Sequence, residues 1–468
     1  MRTTRRSFIK SSAAGTAGLV LAPTISRSIA AVSQQMVWQD KMPVNPAISN
    51  MRVVCCHDPE MVTRNPSQIG VFSSTNDVID AAIVSRNMDQ MAMLLAQQST
   101  PEDSWKTIFR SGKPWNQTKA AIKINGVMSN LARAAVVKKI TEVMVDLLGM
   151  QPTNIVVYDG HGNAAGNDKY TPYGSPTDPS KIRAIISEKF SAMGGVKNVS
   201  IPVTGTTLSG VGPTNLVDGI TDILVNIAVN KGHLSQVGTT TLCLKAHFGT
   251  FLDREGGSAE FMHHNLTDAV ININKLDPII GGNPVRQQLC IIDSIFASQG
   301  GPGGNADTRL DRLIMGTFAG AVDYCCVKKV REGEKNWRHD NSVVAKFLTS
   351  FGYNEEDPEW VEMTPTGITT GKVNPHSSAI SFSFTLSHPA LRTSTLHFTL
   401  PSRISGLVQA EILDLRGSHI RQLSADAATG RILWDGKAEN GRSIGAGSYI
   451  VVLTTGRYRV SERMTLVR

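Results

Sequence analysis

Residues 221–250 read TDILVNIAVNKGHLSQVGTTTLCLKAHFGT, and the rest of the chain is organised around them. Ile223 to Ile227 is a short apolar run bounded by polar residues, the pattern of a buried strand. It breaks into a polar segment with Lys231 and His233, passes a Thr-rich turn, and enters a second apolar run that delivers Lys245 and His247. In a loop or extended segment, residues i and i+2 project the same way. Each Lys-x-His pair can then present an ammonium and an imidazole to one ligand. The competing reading is that these are solvated loop residues, the usual fate of lysine.

Outward from this strand the chain alternates. Met51–Cys56, Lys119–Asn125, Asn154–Asp159, a stretch near Val199 and Gln288–Asp293 read as strands. Helices are expected from Thr75-Asn76-Asp77 to Leu95, and over Pro101–Arg110, Ala132–Leu148, Ser180–Met193, Leu266–Leu276 and Thr308–Val330. Such alternation predicts an α/β domain with a largely parallel sheet covered on both faces.

Ligands of parallel sheets bind beyond the carboxyl ends of the strands. The strands here end in His57 and Asp58, Lys123 and Asn125, Asp159 and His161, Lys231 and His233, and Asp293. Any one of these could be a solvated strand end or a cap for the next helix. Five together, with three imidazoles, predict a shared cleft.

Thr4-Arg5-Arg6-Ser7-Phe8-Ile9-Lys10, a weakly apolar run from Ala13 to Ala22 and small residues up to Ala31 read as a twin-arginine export signal. Its apolar core is too short to span a bilayer, and no later stretch offers the roughly 18 apolar residues a membrane helix needs. The expectation is an exported protein of the periplasm or cell surface, handled by the twin-arginine export machinery, with no integral membrane segment. The formal charge of +8 falls to +3 without residues 1–31, which hold five basic and no acidic side chains. So modest a charge argues against nucleic acid as a partner.

The six cysteines form two adjacent pairs, Cys55-Cys56 and Cys325-Cys326, with Cys243 and Cys290 alone. No Cys-x-x-Cys occurs, so neither an iron–sulfur nor a zinc-ribbon motif is written here. Buried small hydrophobes is their leading reading. The loop Gln299-Gly300-Gly301-Pro302-Gly303-Gly304-Asn305 lacks the Lys-Ser/Thr ending of a phosphate-binding loop and reads as a surface loop. Phe261-Met262-His263-His264-Asn265 adds two imidazoles that read as solvent-facing.

Ala121-Ile-Lys123-Ile-Asn125, Lys231-x-His233, Leu244-Lys245-Ala246-His247-Phe248-Gly249, the strand ending in Asp293 and the helix with Ala321-Val322-Asp323 resemble the successive motifs of the family called domain of unknown function 362. The resemblance spans roughly residues 50–335. It implies an α/β domain, often behind a twin-arginine leader. Ala246 stands where the family usually has Asn, and Phe318 where the last helix usually begins with Asp. Both departures remove a polar group from the site that the resemblance implies.

From Asn354 to Ser378 the composition turns acidic and then rich in Thr, Gly, Pro and Ser, which marks a boundary. Beyond it Ile380–Leu386, Thr395–Leu400, Val408–Leu413, Ile432–Trp434, Ser448–Thr454 and Met464–Val467 alternate as short strands, predicting a small all-β Ig-like sandwich. Trp434-Asp435-Gly436, Asn440-Gly441-Arg442 and Gly445-Ala446-Gly447-Ser448-Tyr449 resemble the Ig-like module of the flagellar hook-capping protein. They are also similar to C-terminal sorting domains. The expected layout is a leader at 1–31, a linker at 32–50, the α/β domain at 51–350, a linker at 351–378 and the sandwich at 379–468.

Two functional readings stand. In the first, Lys123, Asn125, Asp159 and His161 hold an anionic small molecule while Lys231, His233, Lys245 and His247 do acid/base chemistry. A divalent metal on His233, His247 and Asp293 is the cofactor version of that reading. In the second, the chain is a non-catalytic binding protein of the envelope, displayed by the Ig-like module.

Overall fold

The computed structural model describes residues 38–466 except 127–129, 161–183, 188, 234–239, 255, 302–304, 338–341, 365–366, 373–382, 387–393, 400–406, 415–417, 427–430 and 456–457. The α/β part contributes strands β1 (Arg52–His57), β2 (Ala120–Ile124), β3 (Ile155–Tyr158), β4 (Ile185–Ile186), β5 (Val196–Val203), β6 (Thr206–Pro213), β7 (Ile223–Gly232), β8 (Thr240–Thr241), β9 (Gln287–Ser298), β10 (Thr308–Gly316), β11 (Glu359–Thr364) and β12 (Gly367–Lys372). One sheet runs β12-β11-β1-β10-β9-β7-β2-β3-β4, with β8 on β7; β5 and β6 form a separate hairpin. Strands β9, β7, β2, β3 and β4 are mutually parallel.

Alternation along the central strands explains two cores. Ile223, Val225, Ile227 and Val229 of β7 face one layer, with Ile122 of β2 and the helices Ala81–Ala96 and Ala134–Glu142. Leu224 and Ala228 face the other, with Ala121 and the segment 243–252. Both faces are covered, so β7 is buried along its whole length. That is why its apolar residues stand at consecutive positions, Ile223 to Val225 and Ile227 to Val229, instead of alternating.

The structure differs from the sequence-based expectation in several elements. Thr308–Gly316, expected as the start of a helix, is strand β10, antiparallel to both β9 and β1; the helix begins only at Ala319. Leu310, Leu313 and Ile314 imitate helical spacing, but a strand buried on both faces need not alternate. Ile185–Ile186, inside a predicted helix, pairs in parallel with β3. The helix expected from residues 75–77 is capped at Asp80, whose carboxylate accepts from the amides of Ala82 and Ile83. Residues 351–378, expected as a linker, contain β11 and β12, and β11 pairs in parallel with β1.

The C-terminal part is a small antiparallel β module. Strands β13 (Ser383–Leu386), β14 (Ser394–Thr399) and β17 (Arg431–Trp434) form one sheet; β16 (His419–Asp426), β15 (Leu407–Leu413), β18 (Gly447–Thr455) and β19 (Tyr458–Leu466) form the other. Val408, Ala410, Ile412, Trp434, Val451 and Leu453 fill its core. Strand β16 is not apparent in the sequence, because HIRQLSAD carries too few apolar residues to mark a strand.

All six cysteines are buried free thiols. Burial pushes Cys56 and Cys326 up to about 12, so they behave as small core residues. No helix among the described residues is long and apolar enough to cross a membrane. The twin-arginine stretch lies outside the described residues.

Candidate functional site

Register places the site. Lys123 of β2 sits beside Tyr158 of β3 and Asn226 of β7, and Asn226 sits beside Cys290 of β9. This row lies on the face covered by segment 243–252. Lys123 is 1% exposed; its ammonium donates to the Ile124 carbonyl at 2.8 Å and pairs with Asp159 at 3.4 Å. Asp159 follows β3 directly, is equally buried, and accepts from the Gly126 amide at 2.7 Å.

Two further lysines join the pair. Lys231, 1% exposed at the end of β7, is pushed down to about 8 by burial, with Asp159 opposing and Lys123 reinforcing the shift. Lys245, 8% exposed, is pushed down to about 7 by burial and then by the Lys231 charge. Burial likewise lowers Lys123 against the pull of Asp159. Desolvation disfavours an ammonium, and like charges reinforce it.

The short helices Cys243–Ala246 and His247–Gly249 give each residue of the Lys-Ala-His-Phe-Gly motif a separate task. The Lys245 nitrogen lies 4.7 Å from the Phe248 ring centroid and 3.2 Å from His263 Nε2. His263 packs edge-on against Phe248 and lies 5.4 Å, ring to ring, from His233. Gly249 makes room for the ion pair: a Cβ there would overlap Asp159 Oδ1 and fall 2.9 Å from Lys123 Nζ. The segment is anchored from outside by Asp323, which accepts from the amides of Cys243 at 3.0 Å and Leu244 at 2.8 Å. Burial raises the Asp323 carboxyl to about 7.

His247 has a different place from the one expected. It is fully buried, with Nε2 2.7 Å from Gln287 Oε1 and Nδ1 3.1 Å from Thr250 Oγ1. The Tyr158 hydroxyl lies 3.0 Å from the same Thr250 oxygen. These partners fix one tautomer, with Nε2–H donating to Gln287 and Nδ1 accepting from Thr250. Burial pushes His247 down to about 3, so the ring is neutral and structural.

Asp293 is also elsewhere. It lies in the middle of β9, on the core face with helix 134–142, and accepts from the Arg133 amide at 2.6 Å and the Ile295 amide at 3.2 Å. His233, His247 and Asp293 are therefore not brought together. Among the described residues no three His, Cys, Asp or Glu side chains converge as metal ligands. His57 and Asp58 belong to β1 and its end, separated from β7 by β10 and β9. Asp58 is held by Asn87 at 2.7 Å and Arg86 at 3.2 Å. His161 lies outside the described residues. The site thus gathers Lys123, Asp159, Lys231, Lys245 and His233, with Asn125 at the end of β2. Asn125 is 8% exposed, and its amide nitrogen finds no acceptor among the described residues.

His263 is the site residue that sequence reasoning misses. The His263-His264 pair reads as solvent-facing, yet only His264 is exposed. A signal lies in the Phe261-Met262 pair just before it: Met262 is fully buried, so the turn that seats it also draws His263 inward. In the glycine-rich loop, Gly300 offers its carbonyl to the Gly232 amide at 3.0 Å, and a Cβ on Gly301 would overlap the Gly232 carbonyl. The described part of this loop packs against β7.

Residues 120–328 match the family model described as a domain of unknown function (DUF362). The α/β segment of the chain resembles that family. The DUF362 match runs from β2 into the helix region after Ala319, and holds the lysine cluster, His263 and Asp323. It is narrower than the span expected from the motifs. No curated protein matches the chain. Among solved structures, FlgD from Xanthomonas campestris, a hook-capping protein of flagellar assembly, matches at 28% identity and a TM-score of 0.11, covering 13% of this chain and 48% of that one. PorZ, an essential surface component of the type-IX secretion system of Porphyromonas gingivalis, matches at 13% identity and a TM-score of 0.16, covering 24% and 17%. The chain thus spans less than half the length of either structure.

Proposed function

We propose that this chain is an exported protein that binds a small anion, a carboxylate or phosphate, among Lys123, Lys231 and Lys245 at the carboxyl ends of β2, β3 and β7. One observation carries the reading: three lysines, none more than 8% exposed, cluster at one end of the sheet, where the buried carboxylate of Asp159 opposes the charge of Lys123 and Lys231. Positive charge gathered in a buried site is expensive. An anion balances it, and the buried Asn125 amide adds a donor of the kind a carboxylate or phosphate accepts. Export rests on the Arg5-Arg6 leader alone. The acid/base capacity of the site lies with Lys245, His233 and His263, not with His247.

Thermal unfolding in the presence of malonate, phosphate or pyrophosphate tests this. A ligand near 100 times its Kd stabilises the native state by about 2.7 kcal/mol. Wild type is expected to shift by that order with at least one of these anions, and Lys231→Met to lose the shift. Equal response of wild type and variant, or no response to any of the three, overturns the proposal.

A further inference from the structure

The hydrogen bonds around His263 say more about Lys245 than charge alone does. His263 Nδ1 lies 3.1 Å from the Ala259 carbonyl, which can only accept, so Nδ1 carries the proton. The exposed Glu260 carboxylate stands 3.8 Å from the same nitrogen and favours the same tautomer. Nε2 therefore presents its lone pair, and it presents it to Lys245 Nζ at 3.2 Å. Among the described residues Lys245 makes no ion pair with a carboxylate, and its ammonium also lies 4.7 Å from the Phe248 ring centroid. An amine beside a base, with the base held by a third group, is the arrangement that activates a nucleophile.

The geometry points to Lys245 as an amine nucleophile that forms an imine with a 2-oxo acid, with His263 as its base. This rests on the anion-binding reading of the same cluster, because a 2-oxo acid carries its carboxylate one bond from its carbonyl. The carboxylate falls to Lys231, the cation beside Lys245, while the carbonyl carbon faces the Lys245 nitrogen. His263 Nε2 takes a proton from the Lys245 ammonium. The freed amine attacks the carbonyl carbon, a C–N bond forms as the C=O pi pair moves to oxygen, and a proton passes from the attacking nitrogen to that oxygen to make a hydroxyl. His263 returns the proton as that hydroxyl leaves as water, giving the protonated imine. The sum is ammonium plus carbonyl to iminium plus water, with no oxidant or reductant. Asp159 stays with Lys123 throughout.

The full chain is incubated with pyruvate and sodium cyanoborohydride near neutral pH, and the adducts are located by peptide mass mapping; pyruvate binding is followed separately by calorimetry without reductant. The expected result is an N-carboxyethyl group on Lys245, formed saturably, suppressed by malonate, and at least about tenfold ahead of half-exposed lysines such as Lys113. His263→Gln should slow labelling by about 100-fold, the scale of general base catalysis, while pyruvate binding persists. Pyruvate binding without a Lys245 adduct sinks the imine and leaves the anion site standing. Labelling spread evenly over exposed lysines also overturns it. Absence of both binding and adduct removes the two readings together.

Discussion

The Cβ that Gly249 lacks would overlap Asp159 Oδ1, closer than atoms of a folded chain approach without bonding. The glycine is thus the reason the Lys123–Asp159 pair can lie directly beneath the segment that delivers Lys245. Gly160, next to Asp159, is tighter still: its amide donates to the Gly249 carbonyl at 2.8 Å, and a Cβ would overlap the Phe190 ring and meet that oxygen at the same distance. Gly249→Ala is expected to cost about 1–3 kcal/mol of stability, as overpacked sites do. Because backbone and ion pair move together, anion binding should weaken as well. Denaturant unfolding and calorimetry on one variant check both, and unchanged stability would mean that the segment yields easily.

Anion affinity should fall as pH rises through about 7 and 8, the values to which Lys245 and Lys231 are lowered. The sign is direct: each lysine attracts an anion only while protonated, and each loses its proton above its own pKa. Above that range Kd should rise about tenfold per pH unit for each proton linked to binding. The charged and titratable groups around them are Lys123, Asp159, His233, His263 and Glu260. Burial, and then the Lys245 charge, lowers His263 from the ordinary imidazole value. Calorimetric titration with malonate from pH 6 to 9 checks the trend, with a flat profile as the contrary result.

The lysine cluster is legible in the sequence because strand ends are legible. Lys123, Asp159 and Lys231 each close an apolar run, and a parallel sheet brings such ends together. His247 defeats sequence reasoning for a definable cause. The i, i+2 argument holds for extended chain, yet 243–249 is helical, where two residues apart means about 200° of rotation. Lys245 therefore turns to the site and His247 to the core. Asp293 misleads through strand length: Ile291-Ile-Asp293 looks like an end, but β9 continues to Ser298. The Phe261-Met262 pair hints that His263 turns inward, but its pairing with Lys245 is set only by the tertiary fold, since Lys245 comes from another segment.

His247 should make stability depend on pH. Its folded pKa of about 3 lies below the ordinary 6.5, so the unfolded chain binds the extra proton between those values. Stability from this residue is complete above about pH 6.5 and is lost progressively as pH falls towards 3. Asp323, raised to about 7, pushes the other way between its ordinary 3.8 and 7. The two must be separated by difference. The stability of wild type minus that of His247→Gln, both from urea unfolding, should shrink by a few kcal/mol on acidification over this range. A constant difference would show that the ring titrates normally in the fold.

Asp323→Asn should report how Lys245 is held. The carboxylate accepts from two adjacent amides, Cys243 and Leu244, at the start of the helix that carries Lys245. An Asn side chain keeps one acceptor oxygen and brings an NH2 where the second was, leaving one buried amide opposed by a donor. Removing a partner from a buried donor costs about 1–3 kcal/mol. The variant should therefore unfold earlier, and it should also bind malonate more weakly although residue 323 need not touch the anion. Because the folded carboxyl is raised to about 7, the native state takes up its proton before the unfolded chain does, so wild-type stability from this residue rises as pH falls from 7 towards 3.8 and the gap to Asp323→Asn should widen over that range. Loss of stability with binding untouched would mean that Lys245 is positioned by Phe248 and His263 alone.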